Sequence, residues 1–188
     1  GDRIGALLFN DTTSKVYRPS RSPGALMSWL ANLVNMNHQL TADSNEPSRA
    51  DALSEALKKL SRYLTHDSLV IIISDFDGWD DQSLAAIKAI RQSNDVIAAL
   101  ITDPLERSLA NADQLVVSDG AFQIQVESGK KEADVRFRAK FDAHVGSLAE
   151  SLKRHQIPLI SLTTESDIAN QLLRQLGGTP AASTAARQ

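Results

Sequence analysis

Positions 69–73, near the middle of the chain, read Leu-Val-Ile-Ile-Ile, and this apolar run stops abruptly at Ser74-Asp75-Phe76-Asp77. A short, β-branched run of this kind predicts a central strand of a parallel sheet, covered on both faces. Apolar residues at helical spacing predict a helix at residues 81–91, and a second buried strand is predicted at residues 96–101. Strand, helix and strand in this order indicate a right-handed crossover between parallel neighbours.

The rest of the chain continues this alternation. Residues 4–9 predict another strand covered on both faces, with an antiparallel partner at residues 15–18. Asp119-Gly120, between two short apolar runs, predicts a tight hairpin turn. The remaining helices are predicted at residues 23–36, 48–64, 133–155 and 166–176, and a last strand at residues 158–162. The sequence therefore predicts an α/β fold with a doubly wound, mainly parallel sheet and an antiparallel hairpin.

Length and composition favour a single domain. The 188 residues, 42% of them hydrophobic, can bury one substantial core but not two. We expect that core within residues 1–176. Residues 177–188 are rich in Gly, Thr, Ala and Ser, and we expect them to be disordered.

Charge and cysteine content exclude several partners and chemistries. The net charge is −3 and no Lys/Arg run is longer than two residues, so neither nucleic acid nor anionic lipid is expected to bind. The absence of cysteine excludes disulfide scaffolds and thiolate metal sites. No stretch approaches the roughly 18–20 apolar residues of a membrane span, and we expect a cytoplasmic location. The chain begins without Met, so we expect a longer protein, which could carry a membrane segment upstream.

Polar clusters follow three of the predicted strands, at the edge where open parallel sheets bind ligands. They are residues 10–13, the acidic loop Ser74-Asp75-Phe76-Asp77, and Thr102-Asp103. Carboxylates and hydroxyls without His or Cys suit a hard cation such as Mg²⁺ or Ca²⁺. We expect Asp75 to be a metal ligand and Asp103 to contact a partner.

Each of these residues also has a purely structural interpretation. Helix capping accounts for Asp77, Asp80 and Asp81, which precede the helix predicted at residues 81–91. A turn at Asp103-Pro104 accounts for Asp103. Trp79 directly follows the acidic loop, and together with Asp77 it is a candidate contact residue for a protein partner.

Enzymatic chemistry has one candidate motif. The sequence contains no serine-nucleophile elbow and no glycine-rich phosphate loop, and its four histidines are scattered, so no catalytic residue is assigned. Asp75-Phe76-Asp77 after an apolar strand resembles the first motif of haloacid-dehalogenase-type phosphatases and the acidic motif of toprim nucleases. The alternative function is therefore a Mg²⁺-dependent phosphohydrolase or phosphotransfer enzyme that uses Asp75 and Asp77.

Three segments together resemble a known bacterial family. Residues 1–9, residues 69–76 and Asp103-Pro104-Leu105-Glu106 are similar to the "domain of unknown function 58" family, and the order of elements agrees as far as residue 176. The resemblance implies a von Willebrand factor A-like domain, which binds a divalent cation and a protein ligand together. The family commonly occurs beside MoxR-type AAA+ ATPases, which implies an adaptor role with such an ATPase as partner.

The resemblance also implies a cation site that this chain supplies only in part. The site needs Asp-x-Ser-x-Ser after a first strand, a Thr from a second loop and an Asp after a later strand. Asp75 matches the last of these, while Asp51, near the Thr position, and Asp77 are weaker candidates. Residues 11–14 imitate the first motif but follow the wrong strand. No cofactor is therefore certain, and Mg²⁺ is an expectation for the full-length protein alone.

The strand that carries the first motif in the family precedes residue 1. It would lie between the strands at residues 4–9 and 69–73, so both are expected to have an unpaired edge. We expect the chain to rearrange its sheet or to associate with a second copy. The favoured hypothesis is a non-enzymatic interaction domain, with the Mg²⁺-dependent enzyme and a purely structural module as alternatives.

Overall fold

The computed structural model of the protein describes residues 1–39, 49–104, 114–118, 123–127 and 131–178. Its strands are β1 (Ile4–Phe9), β2 (Ser14–Ser20), β3 (Leu69–Ser74), β4 (Asp95–Thr102), β5 (Gln114–Ser118), β6 (Gln123–Glu127) and β7 (Leu159–Thr163). Its helices are α1 (Pro23–His38), α2 (Ala52–Ser61), α3 (Asp81–Arg91), α4 (Lys131–Arg154) and α5 (Ile168–Gln175). The chain divides into two compact units: the first holds β1, β2 and α1 to α3, and the second holds β3, β4, α4, β7 and α5.

The first unit combines an antiparallel hairpin with three helices. β1 pairs with β2 in a register that places Leu7 opposite Val16, which confirms the predicted partner strand. α2 and α3 pack against each other. Their apolar side chains with at most 4% of their surface exposed recur at helical spacing and are Leu53, Ala56, Leu57, Ile87 and Ile90.

The second unit is built on a parallel sheet of three strands in the order β3-β4-β7. β4 pairs with β3 on one side, with Val96 opposite Val70, and with β7 on the other, with Ala98 opposite Leu159. Ala98 is fully buried, as β4 is the described strand that has neighbours on both sides. The predicted parallel succession of strands is therefore confirmed for these three.

The prediction that residues 69–73 form a central strand covered on both faces is wrong for the described sheet, whereas their predicted unpaired edge is confirmed within it. β3 lies at its edge, and exposure alternates along it. Val70 and Ile72 are buried, whereas Leu69, Ile71 and Ile73 are 61%, 54% and 66% exposed. Successive side chains of a strand point to opposite faces, and in β3 one of those faces is uncovered. β1 departs from its prediction in the same way, because Leu8 is its only buried residue.

The outer edge of β7 is closed by two glutamine side chains of α5. The Gln171 amide accepts a hydrogen bond from the Thr163 N–H (2.9 Å) and donates to the Thr163 carbonyl (2.8 Å). The Gln175 amide makes the same pair of bonds with Ser161, accepting from its N–H at 3.2 Å. Each amide thus supplies one donor and one acceptor, as a neighbouring strand would, and protects the edge from pairing with another chain.

The remaining differences concern element bounds. α2 begins at Ala52 rather than residue 48, and its N-cap residue Asp51 makes no side-chain capping bond, because its carboxylate is held by Arg49 instead. Ser48, the Asp119-Gly120 turn and residues 179–188 lie outside the described residues, although β5 and β6 do pair with each other.

None of the helices in the described ranges is both long and apolar enough to cross a membrane. The single domain expected over residues 1–176 stays a prediction.

Replacing both edge-closing glutamines should weaken the second unit. The double variant Gln171→Ala/Gln175→Ala leaves the N–H and carbonyl groups of Ser161 and Thr163 without these partners. We expect the free energy of unfolding to fall by about 2–6 kcal/mol, from about 0.5–1.5 kcal/mol for each of the four hydrogen bonds lost, with faster aggregation through the opened edge. Urea denaturation and light scattering measure the two effects. Arg174→Ala, on the exposed side of the same helix, is the control, and equal stability of the two variants would contradict the assignment.

Candidate functional site

The acidic loop begins where β3 ends, and its first carboxylate is exposed to solvent. The Ser74 hydroxyl donates a hydrogen bond to Asp75 Oδ1 (3.2 Å) and accepts one from the Phe76 N–H (3.0 Å). The Ser74 hydroxyl therefore binds both residues that follow it and stabilises the first turn of the loop. Asp75 lies at the carboxyl edge of the β3-β4-β7 sheet, the edge at which parallel sheets place ligand sites.

Two backbone positions determine the path of the loop. Phe76 has φ of 57° and a fully buried side chain. A bulky residue rarely adopts this left-handed conformation, so the burial of the ring must offset the backbone strain. Gly78 has φ of 69°, and a Cβ atom there would overlap the carbonyl oxygen of Ala50. Only glycine can lie this close to the Ala50 backbone without displacing the chain.

The second polar cluster of the second unit lies at the ends of β4 and β7. Thr164 Oγ1 donates to Asp103 Oδ2 at 2.7 Å, and the Thr164 N–H donates to the Thr102 carbonyl at 3.1 Å. Asp103 is half-buried, whereas Asp75 is exposed. The structure therefore brings Asp103 to the same edge of the sheet as Asp75, as the strand order predicted. Thr164 was not predicted as a site residue, although a hydroxyl after the last strand was the available signal.

The carboxylates that follow Gly78 belong to the first unit, and one of them caps α3. Asp80 is the N-cap residue, and its Oδ1 accepts hydrogen bonds from the Ser83 N–H (2.7 Å) and the Ser83 hydroxyl (2.8 Å). These two bonds stabilise the ionised form and hold the pKa of Asp80 below its ordinary value. Asp81 lies in the first turn of the helix, where negative charge is favourable. The capping interpretation is confirmed for Asp80, while Asp77 is exposed and Trp79 is half-buried.

Asp51, the weaker metal candidate, is engaged by a neighbouring cation. Arg49 donates two hydrogen bonds to its carboxylate, Nε to Oδ1 at 3.0 Å and Nη2 to Oδ2 at 2.9 Å. The hydrogen bonding and charge of Arg49 lower the pKa of Asp51. A carboxylate whose two oxygens face a guanidinium is a poor ligand for a second cation.

Of the predicted decoy at residues 11–14, the first three residues form the β1–β2 turn and Ser14 begins β2. Asn10 Oδ1 accepts hydrogen bonds from the backbone N–H groups of Thr12 (3.1 Å) and Thr13 (2.7 Å). This side-chain arrangement closes the hairpin and needs no metal. Across the described residues, no three His, Cys, Asp or Glu side chains come together as metal ligands. The described donor set therefore does not fit a complete Mg²⁺ site.

Removing the α3 cap should give a pH-dependent loss of stability. We expect Asp80→Ala to lower the free energy of unfolding by about 1 kcal/mol, the usual effect of losing an N-cap. Because the folded-state pKa is depressed, the contribution is fully present above the unfolded value of 3.8 and disappears as the pH falls through the lower folded pKa. Urea denaturation of both proteins at pH 7 and at pH 3 measures this, with Asp81→Ala as control. A difference between Asp80→Ala and the wild type that is unchanged by pH would contradict it.

Comparison with solved structures finds two distant neighbours. BatB, a conserved hypothetical protein from Bacteroides thetaiotaomicron, is 11% identical, with a TM-score of 0.45 over 93% of this chain and 76% of its own. An aerotolerance-related membrane protein from Bacteroides fragilis is 11% identical, with a TM-score of 0.46 over 93% and 77%. Likenesses this distant support no inference about this chain.

Comparison of the sequence with known families, unlike the comparison with solved structures, identifies a family. No curated protein matches the chain. The model of the family described as "Protein of unknown function DUF58" matches residues 1–149, a span that contains both the acidic loop and Asp103. The chain therefore belongs to the DUF58 family.

Proposed function

We propose that this chain is a non-enzymatic protein-interaction domain, and that its contact surface lies at the carboxyl edge of the β3-β4-β7 sheet. The observation that carries the proposal is the exposed carboxylate of Asp75, held by Ser74 in a loop whose conformation is strained at Phe76. Strained backbone in a loop is retained most often where function requires it. Asp103, hydrogen-bonded to Thr164 at the same edge, extends the surface.

A von Willebrand factor A-like, doubly wound fold is the architecture we propose for the complete domain. Its support is the parallel order β3-β4-β7, with α3 following β3 and α4 preceding β7 along the chain. In such folds the partner and a divalent cation bind together at the carboxyl ends of the strands. Asp75 would be one ligand of that cation, with the other groups supplied by the rest of the protein or by the partner.

The partner we propose is a MoxR-type AAA+ ATPase, and this choice rests on family kinship. Members of the DUF58 family commonly occur beside such ATPases, as is expected of an adaptor protein and the ATPase that it assists. The partnership would place the domain in the cytoplasm, where the ATPase finds its nucleotide. Asp77 and Trp79 follow Asp75 directly in the chain and are the next candidates for contacts with the ATPase.

Removing the Asp75 carboxylate should weaken capture of the ATPase. We expect the full-length protein carrying Asp75→Ala to recover at least about tenfold less MoxR-type ATPase in a pull-down than the wild type, the effect of losing one buried charged contact at an interface. Asp95→Ala is the matched control, because Asp95 is an exposed aspartate at the opposite end of the same sheet, at the start of β4.

Two outcomes of the pull-down would contradict the proposal. Equal recovery by the Asp75→Ala variant and the wild type would exclude Asp75 from the contact surface. A wild-type protein that recovers no ATPase at all, under conditions in which both proteins are folded, would exclude this partner.

Self-association through β3 is the second part of the proposal. The uncovered face of β3 carries the exposed apolar side chains Leu69, Ile71 and Ile73, and within the described residues β3 pairs only with β4. The other edge of the sheet is closed by Gln171 and Gln175. An apolar edge strand without such protection is a template for pairing with a second chain.

A charge on this face should abolish the association. We expect this 188-residue chain to show a concentration-dependent rise in mass by light scattering, and Ile71→Lys to remain monomeric, because a lysine on an edge strand opposes pairing. Leu173→Lys, which places the same charge at an exposed apolar position of α5 in the same unit, is the control. A wild-type chain that stays monomeric over about a hundredfold range of concentration would contradict the proposal.

A further inference from the structure

A cavity of about 330 Å³ lies in the first unit, between the β1–β2 turn and α2. It is separate from Asp75 and Asp103, which belong to the second unit. Its volume falls at the lower end of the range for small-molecule sites, about 300–1,000 Å³. One wall carries the hydroxyl side chains of the turn, and the other carries most of the positive charge.

Four of the side chains that line the cavity are cationic and one is anionic. The cations are Arg49, Lys58, Lys59 and Arg62, and the anion is Glu55. Two cations are already partnered by carboxylates: Arg49 by Asp51 and Lys58 by Glu55, each at 2.9 Å. The cavity therefore keeps a local positive charge in a chain whose net charge is −3.

The remaining cations, Lys59 and Arg62, carry this excess charge. Lys59 Nζ donates to the Ser14 carbonyl at 2.7 Å and so reaches from α2 to the first residue of β2. Neither Lys59 nor Arg62 forms an ion pair within the part of the chain that the structure describes. They are three residues apart at the end of α2, so they lie on the same side of the helix.

Helix electrostatics account for part of this arrangement but not for all of it. Basic residues in the last turn of α2 favour the helix dipole, which explains their sequence position. The dipole does not explain why the same residues face a cavity with Thr12 and Thr13 on its other wall. Ser14 also lines the cavity, and its buried hydroxyl has no hydrogen-bond partner within the described residues. Cations without an ion-pair partner on one wall and hydroxyl groups on the other suit a multivalent oxyanion.

We propose that this cavity binds a small ligand through a phosphate group, with Lys59 and Arg62 as the charged contacts and Thr12 and Thr13 as hydroxyl donors, the Thr12 hydroxyl turning to the ligand from Asn10 Oδ1, to which it donates at 3.2 Å. Arginine presents a planar set of donors that matches phosphate oxygens, and lysine supplies a point charge. Ala52, Ala56 and the half-exposed ring of Tyr63 also line the cavity and would contact the non-ionic part of the ligand.

Inorganic pyrophosphate is the probe that tests the proposal. We expect its titration into the ¹⁵N-labelled chain to give saturable amide shifts at residues 10–14 and 58–63. Arg62→Gln should raise the dissociation constant about tenfold, the effect of one charge-assisted contact, while Arg62→Lys should keep most of the affinity. Arg174→Gln is the matched control, because Arg174 is an exposed arginine in the last turn of α5.

Three other outcomes of these experiments would contradict the proposal. Shifts that do not saturate, or that centre elsewhere, would show that the cavity is not the site. Equal weakening by Arg62→Gln and Arg174→Gln would show screening of net charge, not a site. Sulfate that binds as tightly as pyrophosphate at equal ionic strength would show an adventitious ion only. Arg62 is exposed, so its variants should fold, and a thermal melt of each verifies this.

Discussion

The pairing of β4 with β3 on one side and β7 on the other is the interaction on which the second unit depends. It buries Ala98, Ala99 and Leu100 at the centre of the sheet. Because all three strands run in the same direction, their carboxyl ends meet at one edge. That edge carries Asp75 after β3 and Asp103 after β4, and Thr164 after β7 ties the second of these carboxylates in place. The polar surface is therefore a direct consequence of the strand pairing.

The two outer strands of this sheet differ in how their outer edges are protected. β7 is closed by Gln171 and Gln175, whose amides repeat the hydrogen-bonding pattern of a strand. β3 presents alternate apolar side chains to solvent. Closing one edge while leaving the other apolar is consistent with a sheet that is continued by another strand on the β3 side. The positively charged cavity of the first unit is a separate feature, so the chain offers two surfaces of opposite charge.

Local patterns predicted much of the element order. α3 has the predicted bounds, Asp81–Arg91, because its apolar spacing and its acidic first turn both mark a helix. The hairpin of β1 and β2 and the parallel order of β3, β4 and β7 also follow the prediction. At the candidate site, the sequence placed Asp75 and Asp103 at strand ends and Asp80 at a helix cap. These features depend on residues within a few positions of each other.

The sequence by itself therefore determined the family, the succession of strands and helices, and the polar ends of the strands. The tertiary structure alone decided that one face of β3 is uncovered in the described sheet, since five apolar residues in a row do not reveal which face is covered. The tertiary structure also decided that Gln171 and Gln175 close β7, and that the turn near Thr12 meets α2 near Arg62 to form a cavity. These arrangements join residues far apart in the chain, so periodicity and propensity, which are local, do not encode them.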